Sequence, residues 1–294
     1  MTAAEILVAS VPTPFGSDGR LDPDAVRMLL ADLEPCADAV LVGGTAGQFP
    51  ALSDDERLLL FDLALDALGP DRVLGHIGAP SLAQVRHLAD AATGIGLRRF
   101  VCLTPYFLPV DGAAVLEWYR DVARAVEDGE LLVALNPERT GVAVSPAAAA
   151  LLTAVDGVSG LTVGGTAAAR TSAYAAALQP GQRLWSTEET ALPRVLAEGG
   201  HGVVSAAASA FPALFARLRG AVRDGSDATG LQDLVREAVA AVSALPGLHL
   251  ALSLRSGHPW RSRMPGPTLP PGSRDAVAGL LRRVDDATGS DRTG

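Results

Sequence analysis

Two residues in this chain have side chains suited to holding a small organic acid. Thr45 lies in a glycine-rich turn, residues 43–47, that follows a short apolar run and precedes a helix signal. A hydroxyl and the exposed backbone amides of such a turn can bind a carboxylate. Arg139 offers a planar guanidinium that binds a carboxylate through two parallel hydrogen bonds. Both residues also have a structural alternative to ligand binding. The turn that carries Thr45 could be an ordinary strand-to-helix turn, and Arg139 could form an ion pair with an acid of its own loop.

A second set of residues could transfer protons. His76 ends a predicted strand, Glu188 and Glu189 follow another, and Tyr106 comes after a Thr-Pro step. Imidazole, carboxyl and phenol groups are the usual general acids and bases. A histidine with two carboxylates could also hold a divalent metal, but the chain has neither His-x-His nor His-x-x-x-His spacing. We therefore predict no metal and no cofactor. Each of these residues also has a structural alternative to a catalytic role. His76 could be a hydrogen-bonded rim residue, Glu188 or Glu189 could cap the following helix, and Tyr106 could lie at a subunit interface.

Apolar, β-branched runs alternate with longer helical patterns along most of the chain. Nearly continuous apolar strands with helices between them are typical of a parallel sheet covered on both faces. Eight such units predict an α/β fold of the (β/α)8 TIM barrel type. An open, doubly wound sheet is the alternative, but no phosphate-binding fingerprint follows the first strand. Strands are predicted at 6–11, 39–42, 72–77, 100–103, 131–136, 158–163, 183–186 and 202–206, and helices at 22–33, 53–68, 81–92, 112–127, 145–154, 167–178, 190–198 and 211–222.

The remaining residues predict a C-terminal helical extension. We expect residues 1–222 to form the barrel and residues 223–294 to pack on it within one structural domain. Helical patterns cover 230–244 and 275–287. Between them, residues 253–272 are rich in Arg and Pro and predict an irregular surface excursion. The polar residues 287–294 are expected to fray.

Composition narrows the functional classes. The net charge of -9 disfavours a nucleic-acid partner or a basic membrane-binding face. No apolar run reaches membrane-spanning length, and the N-terminus lacks a basic region followed by an apolar signal core, so we expect a cytoplasmic protein. Cys36 and Cys102 lie in or near apolar segments and predict reduced thiols.

Five ordered blocks carry a resemblance to a known family: Val-Pro-Thr-Pro-Phe at 11–15, Gly-Thr-Ala-Gly-Gln-Phe-Pro-Ala-Leu-Ser-Asp-Asp-Glu-Arg at 44–57, Thr-Pro-Tyr at 104–106, Pro-Glu-Arg-Thr-Gly at 137–141 and Gly-Gly-His-Gly-Val-Val-Ser at 199–205. The chain resembles the dihydrodipicolinate synthase / N-acetylneuraminate lyase family over nearly its whole length. This resemblance implies a (β/α)8 barrel, typically tetrameric, that acts on 2-oxo acids such as pyruvate through a Schiff base to a lysine on the sixth strand. It also implies that Arg139 and Thr45 contact the substrate.

The residues that carry the family's chemistry differ in this chain. The sixth-strand Gly-Ile-Lys-Glu of the family reads Gly-Leu-Thr-Val at 160–163, so Thr162 stands at the lysine position. The chain contains 24 arginines, which account for all 24 of its Lys and Arg residues, and hence it has no lysine. An iminium intermediate needs a primary amine, so Schiff-base aldolase chemistry is not expected. Four residues differ from those of the family's proton relay and from the acidic end of its glycine motif. They are Ala46, Gln48, Phe107 and Ala134.

These observations leave two hypotheses. In the first, the barrel binds a small oxo acid or related carboxylate and catalyses a lyase, hydratase or isomerase step. In the second, it is an inactive pseudoenzyme that serves as a ligand sensor or as the partner subunit of an active paralogue. We also expect a homo-oligomer, either a dimer or a tetramer. The catalytic candidates are His76, Tyr106 and Glu188, and the substrate-binding candidates are Thr45, Arg139, Thr162 and Ser205.

Overall fold

A computed structural model of the chain, which describes residues 5–126 and 128–289, contains eight parallel strands that pair in chain order and close into a barrel. Val8 of the first strand lies opposite Val204 of the last, and this pairing closes the ring. The predicted (β/α)8 TIM barrel is confirmed. The strands are β1 Leu7–Ser10, β2 Ala39–Val42, β3 Val73–His76, β4 Arg99–Leu103, β5 Glu130–Leu135, β6 Val158–Val163, β7 Arg183–Ser186 and β8 Gly202–Ser205.

Helices follow each strand and cover the outside of the barrel. They begin where the sequence supplies capping residues. Before the second helix, for example, the Ser53 hydroxyl accepts from the Glu56 N–H and the Glu56 carboxylate accepts from the Ser53 N–H. The barrel helices are α1 Pro23–Leu33, α2 Asp54–Leu68, α3 Leu82–Gly94, α4 Gly112–Ala125, α5 Pro137–Thr140, α6 Pro146–Thr153, α7 Thr171–Ala175, α8 Leu192–Ala197, α9 Ala207–Ala210 and α10 Pro212–Asp224.

The strands bury side chains on both faces because successive residues of a strand point in opposite directions. On β6, Leu161 and Val163 pack outward against the helices, whereas Thr162 between them faces the interior. The interior is filled mainly by apolar side chains, including the fully buried Trp185, whose indole N–H donates to the Glu5 carbonyl at 3.0 Å. The barrel is therefore a packed core, and its chemistry is confined to the rim.

Three further helices form the C-terminal extension: α11 Thr229–Ala241, α12 Leu245–Ser256 and α13 Ser273–Thr288. The predicted helices do not include α12, which has Pro246 in its first turn. Proline is tolerated in the first turn, where its missing N–H would have had no partner. The first four residues of the predicted irregular stretch, 253–256, belong to this helix, which ends at Gly257 with a φ of 70°.

Both cysteines are free thiols, with Cys102 buried and Cys36 half-buried. Burial raises the pKa of the Cys102 thiol to about 12, so this residue stays protonated. In the part of the chain that the structure describes, no single helix is long and apolar enough to cross a membrane. Helices α11 and α12 reach the length and apolar composition of a membrane span only when they are taken together, and the angle between them is 112°.

Candidate functional site

A cavity of about 790 Å³ opens at the carboxyl ends of the strands. This is the end at which TIM barrels carry their sites, and the volume lies in the usual range for small-molecule sites. Its floor and one side come from the strand ends and their loops. The other side is what we call the C-terminal wall, residues 242–245, 248 and 264–267. The lining residues from the barrel are Ser10, Leu41, Thr45, Ala46, Phe49, Pro50, Leu103, Tyr106, Asn136, Glu138, Arg139, Thr140, Gly165, Thr187, Glu189, Val204 and Ala206.

Glu189 is one of two carboxyl groups on the described lining, the other being Glu138, and it comes from the short turn after β7. Its Oε2 accepts from the Ser205 hydroxyl at 2.5 Å and from the Ala207 N–H at 2.8 Å. Burial raises the pKa of Glu189 above its usual range, and hydrogen bonds from Ser205 and from the Ala207 and Ala206 backbone partly oppose that rise. A carboxyl with a raised pKa is suited to exchange a proton with a ligand.

Ser205 and Glu188, both predicted site residues, do not line the cavity. Ser205 is fully buried, accepts from the Ala208 N–H at 2.9 Å and donates its hydroxyl to Glu189. Its one proton is therefore committed to orienting the carboxylate. Glu188 forms an ion pair with Arg194, which also contacts Glu198 at 2.8 Å. The structure thus brings Glu189, and not its neighbour, into the cavity.

Arg139 lines the cavity and is exposed. No hydrogen bond or ion pair joins its side chain to any of residues 5–126 and 128–289. Its neighbour Glu138 is engaged elsewhere, since its Oε1 accepts from the Thr166 N–H at 2.8 Å. This hydrogen bond lowers the pKa of Glu138. A Cβ at Gly165 would lie 1.6 Å from Glu138 Oε2, so only glycine permits this contact. The Arg139 guanidinium is consequently available to a ligand.

A chain of hydroxyl groups lies beside Arg139. The Thr104 hydroxyl donates to Thr140 Oγ1 at 2.8 Å, and Thr140 donates to the Asn136 carbonyl at 3.2 Å. The Asn136 side-chain oxygen is buried without a hydrogen-bond partner among the described residues, although Asn136 lines the cavity. A buried amide oxygen without a partner is unusual and is suited to accept a hydrogen bond from a ligand or a water molecule. Sequence reasoning did not single out Asn136.

His76 lies beneath the cavity floor and does not reach the lining. It is almost fully buried, and its ring centroid is 4.4 Å from that of Phe49, which covers it. Arg57 donates to the His76 carbonyl and, at 3.1 Å, to the Gly78 carbonyl. Burial and the Arg57 charge lower the pKa of His76 well below its usual range, so the ring is neutral. With Phe49 in place, His76 cannot contact a ligand in the cavity.

The remaining predicted residues differ in how far they reach the cavity. Tyr106 lines it, with its ring in edge contact with Phe49 at 5.9 Å between centroids, and burial raises the pKa of the Tyr106 phenol. Thr45 also lines the cavity and is exposed. Thr162 is buried within the barrel, where its backbone neighbours across the sheet are Ala134 and Trp185, and it does not line the cavity.

The C-terminal wall is attached to the barrel by two residues that sequence reasoning did not assign to the site. The Gln48 side-chain oxygen accepts from the Ser262 hydroxyl at 2.6 Å and from the N–H groups of Arg263 and Met264 at 3.1 and 2.9 Å. The Arg263 guanidinium donates to the Ala51 carbonyl at 2.9 Å and stacks over Phe15, 4.2 Å from the ring centroid. Gln48 therefore fixes the backbone of the wall, and Arg263 anchors it to the loops after β1 and β2.

No group of three or more His, Cys, Asp and Glu side chains that could hold a metal ion occurs among residues 5–126 and 128–289. The chemistry on the cavity's lining is therefore that of hydroxyl, amide, guanidinium and carboxyl groups.

Comparison with known proteins assigns the chain to a family. The model of the dihydrodipicolinate synthetase family matches residues 3–244. The chain belongs to the dihydrodipicolinate synthetase family. Among related sequences, a 4-hydroxy-tetrahydrodipicolinate synthase from Thiobacillus denitrificans is 32% identical over 228 residues, which are 76% of each chain. An uncharacterized DapA-like lyase from Halobacterium salinarum is 31% identical over 272 residues, or 88% of each chain.

Solved structures share the fold. YagE, a prophage protein of the dihydrodipicolinic acid synthase family from Escherichia coli in complex with pyruvate, superposes with a TM-score of 0.85 at 22% identity and covers 97% of this chain and 99% of its own. The sialic acid aldolase of Ruminococcus gnavus gives a TM-score of 0.88 at 16% identity, with 97% and 98% of the two chains covered. The resemblance read from the five sequence blocks is confirmed at the level of the family and the barrel.

Proposed function

We propose that the cavity binds a small oxo acid or a related carboxylate and that Arg139 is the partner of its carboxylate group. The observation that carries this proposal is the exposed Arg139 guanidinium on the lining, without a carboxylate within ion-pair distance in the described residues. Thr45 on the same lining supplies a hydroxyl that can donate to the ligand, and the unpartnered Asn136 amide oxygen is placed to accept from a hydroxyl of the ligand rather than to bind its carboxylate. An exposed guanidinium on the lining of a small-molecule cavity is a usual partner of a ligand carboxylate.

The chemical step that we propose is proton transfer in a lyase, hydratase or isomerase reaction. Both hydrogen bonds that the Glu189 carboxylate accepts from Ser205 and Ala207 end on Oε2, so we assign Oε1 to the proton exchange. Glu189, as the carboxylate, takes a proton from a carbon atom of the ligand. The electron pair of that C–H bond forms a carbon–carbon double bond while the bond from the adjacent carbon to its hydroxyl oxygen breaks, and Tyr106 protonates that oxygen, which leaves as water. Proton exchange with solvent then restores both side chains. The reverse reaction returns both protons.

The names of the relatives point to synthases and aldolases, but a Schiff base is not part of this proposal. The chain has no lysine, and Thr162 stands at the position that the family resemblance assigns to that residue. A threonine hydroxyl cannot form an iminium with a carbonyl group. In this proposal the carbonyl group is activated by hydrogen-bond donors of the lining.

Calorimetric titration with 2-oxo acids tests the carboxylate subsite. A charged hydrogen-bonded pair in a partly desolvated site contributes about 1.5–3 kcal/mol, so Arg139→Ala should weaken binding about ten- to a hundredfold. Arg170→Ala removes an exposed arginine that does not line the cavity and should leave the affinity unchanged. An unchanged affinity in a folded Arg139→Ala variant would exclude Arg139 as the carboxylate partner.

The second candidate function is an inactive pseudoenzyme that acts as a ligand sensor or partner subunit. The observation that favours this second function concerns the barrel interior around Thr162. Its neighbours on the adjacent strands are Ala134 and Trp185, and neither side chain can take part in a proton relay. Binding without turnover of any 2-oxo or hydroxy acid, in the wild type and in Glu189→Gln alike, would support this reading over the first.

We further propose that the chain forms a homo-oligomer, through the loop that follows β4. Phe107 and Leu108 in this loop are 87% and 67% exposed. Phe107 also adopts a φ of 83°, a conformation that is costly for an aromatic residue. A strained, exposed aromatic side chain is explained if a second copy covers it. Phe107→Asp should reduce the mass measured by light scattering, while Leu59→Asp, on a less exposed leucine of α2, should not.

A further inference from the structure

The cavity has two chemically different sides. Its charged groups, Glu138, Arg139 and Glu189, lie on the loops that follow β5 and β7. The 264–267 segment of the C-terminal wall is anchored over the loops that follow β1 and β2, on the opposite side of the eight-stranded ring from β5 and β6, whereas α11, which leads into residues 242–245, packs against the turn that carries Glu189. A ligand held by Arg139 and extending across the mouth would therefore pass from the charged side to the C-terminal wall.

The C-terminal wall is apolar. It presents the side chains of Val242, Leu245, Leu248, Met264, Pro265 and Pro267 to the cavity. Ser243 is the one polar side chain on it, and no charged side chain of the described extension lines the cavity. Phe49 and Pro50, on the loop after β2, continue the apolar surface onto the barrel.

The C-terminal wall is held in position by specific contacts. Gln48 and Arg263 fix residues 262–264 through side-chain hydrogen bonds, as described above. A Cβ at Gly266 would lie 2.9 Å from Pro246 Cγ, so the 264–267 segment packs closely against the start of α12. A wall fixed in this way offers a preformed apolar surface, which a ligand can cover without first ordering it.

We propose that the ligand of this site is an organic acid with an apolar tail, which lies against the C-terminal wall while Arg139 binds the carboxylate. This inference rests on the proposed function, because it uses the same carboxylate subsite. A three-carbon acid bound at Arg139 would leave most of the 790 Å³ and the apolar side chains of the wall in contact with water. Covering them with methylene groups or an aromatic ring releases that water and strengthens binding.

The test is a chain-length series of straight 2-oxo acids, from pyruvate through 2-oxobutyrate, 2-oxopentanoate and 2-oxohexanoate to 2-oxooctanoate, titrated by calorimetry. We expect Kd to fall about fourfold for each added methylene, which corresponds to about 0.8 kcal/mol. Met264→Gln and Leu245→Asn should reduce this dependence on length with little change in Kd for pyruvate. Met28→Gln, on an exposed methionine of α1, is the matched control and should leave the series unchanged.

The variant Arg139→Ala separates this inference from the proposed function. It should weaken every member of the series by the same factor and leave the dependence on tail length intact. If the acids bind through Arg139 but Kd does not fall with chain length, the apolar-tail inference is wrong and the carboxylate subsite stands. If no acid of the series binds, or if Arg139→Ala binds them all as tightly as the wild type, the proposed function fails and this inference fails with it.

Discussion

Glu56 and Arg263 are joined by two parallel hydrogen bonds, although 207 residues separate them in the chain. Arg263 Nη2 lies 2.6 Å from Glu56 Oε1, and Nη1 lies 2.6 Å from Oε2. The same carboxylate accepts from the Ser53 N–H at the start of α2. The Arg263 hydrogen bond is the main reason that the pKa of Glu56 lies below its usual range. One side chain therefore caps a barrel helix and anchors the C-terminal wall.

A double-mutant cycle measures this link. Glu56→Gln and Arg263→Ala should each lower the free energy of unfolding by about 1.5–3 kcal/mol, because each leaves a charged partner without its pair in a partly buried setting. Their effects should not add, and we expect a coupling energy of about 1–2 kcal/mol from denaturant titrations. The exposed pair Asp24 and Arg27 on α1 serves as the comparison and should show almost no coupling. Additive effects for Glu56 and Arg263 would contradict the link.

The variant Glu189→Gln tests whether the Glu189 carboxyl is buried, and the measurement is the pH dependence of the melting temperature. The pKa of Glu189 is raised in the folded protein, so the folded state favours the protonated form. The stability that Glu189 contributes is present at pH values below its pKa in the unfolded chain. It is lost as the pH rises through its pKa in the folded protein. The melting temperature of Glu189→Gln, relative to the wild type, should therefore increase as the pH rises from about 4.5 towards 8. Glu188→Gln, which loses only a surface ion pair, should show no such trend.

The same Glu189→Gln variant tests the proposed proton transfer. An amide keeps the shape of the side chain but cannot take up or release a proton in the required range. Turnover of the substrate should fall about 10²- to 10⁴-fold, with the Kd of the substrate changed much less. Steady-state kinetics combined with calorimetry provide this comparison. Full turnover in Glu189→Gln would remove Glu189 from the mechanism.

His249 should contribute to unfolding in acid. Burial in α12 lowers its pKa to about 4, and its Nε2 is buried without a partner in the described residues. The stability that depends on the neutral ring is complete above the unfolded pKa of 6.5 and is lost as the pH falls towards 4. At about 1.4 kcal/mol per pKa unit, the loss amounts to about 3 kcal/mol. His249→Leu should remove this loss, so that urea midpoints measured between pH 7 and pH 4 fall less steeply than those of the wild type.

Treatment with pyruvate and borohydride should leave no adduct on an internal residue. Reduction traps only an imine, and the chain has no lysine from which one could form. Mass spectrometry of the digested protein is the measurement, and a family enzyme that has the lysine is the positive control. An adduct mapped to a residue inside the barrel would overturn the exclusion of Schiff-base chemistry, whereas one on Met1 would reflect only the N-terminal amine.

The barrel could be predicted from the sequence because its signals are local. Apolar runs such as 158–163 and 183–186 have the bounds that the structure gives them. The loop positions of Thr45, Tyr106 and Arg139 followed from the rule that barrel strands end at one rim, and all three line the cavity. The wall could not be predicted in the same way. It depends on Gln48 meeting residues 262–264, more than two hundred residues away, and no periodicity reports such a contact.

Sequence patterns also do not show which of two neighbouring residues faces the cavity. Glu188 and Glu189 follow β7 in a short 3-10 turn, where the alternation of a strand no longer decides which side chain points inward. The hydrogen-bond donors of Ser205 and Ala207, on another strand and helix, select Glu189. His76 does point inward as a strand residue, but the side chain of Phe49 covers it. Both outcomes are decided by tertiary contacts.

The location of the wall has a consequence for how the protein is made. The ring of strands is complete at Ser205, whereas the C-terminal wall is built from residues 242–245, 248 and 264–267. On a ribosome the chain emerges from its N-terminus and folds in that order. The barrel can therefore close while its mouth holds the charged loops alone and the Glu56 carboxylate still has no arginine. The apolar side of the cavity is then completed only after the chain has been translated beyond residue 267.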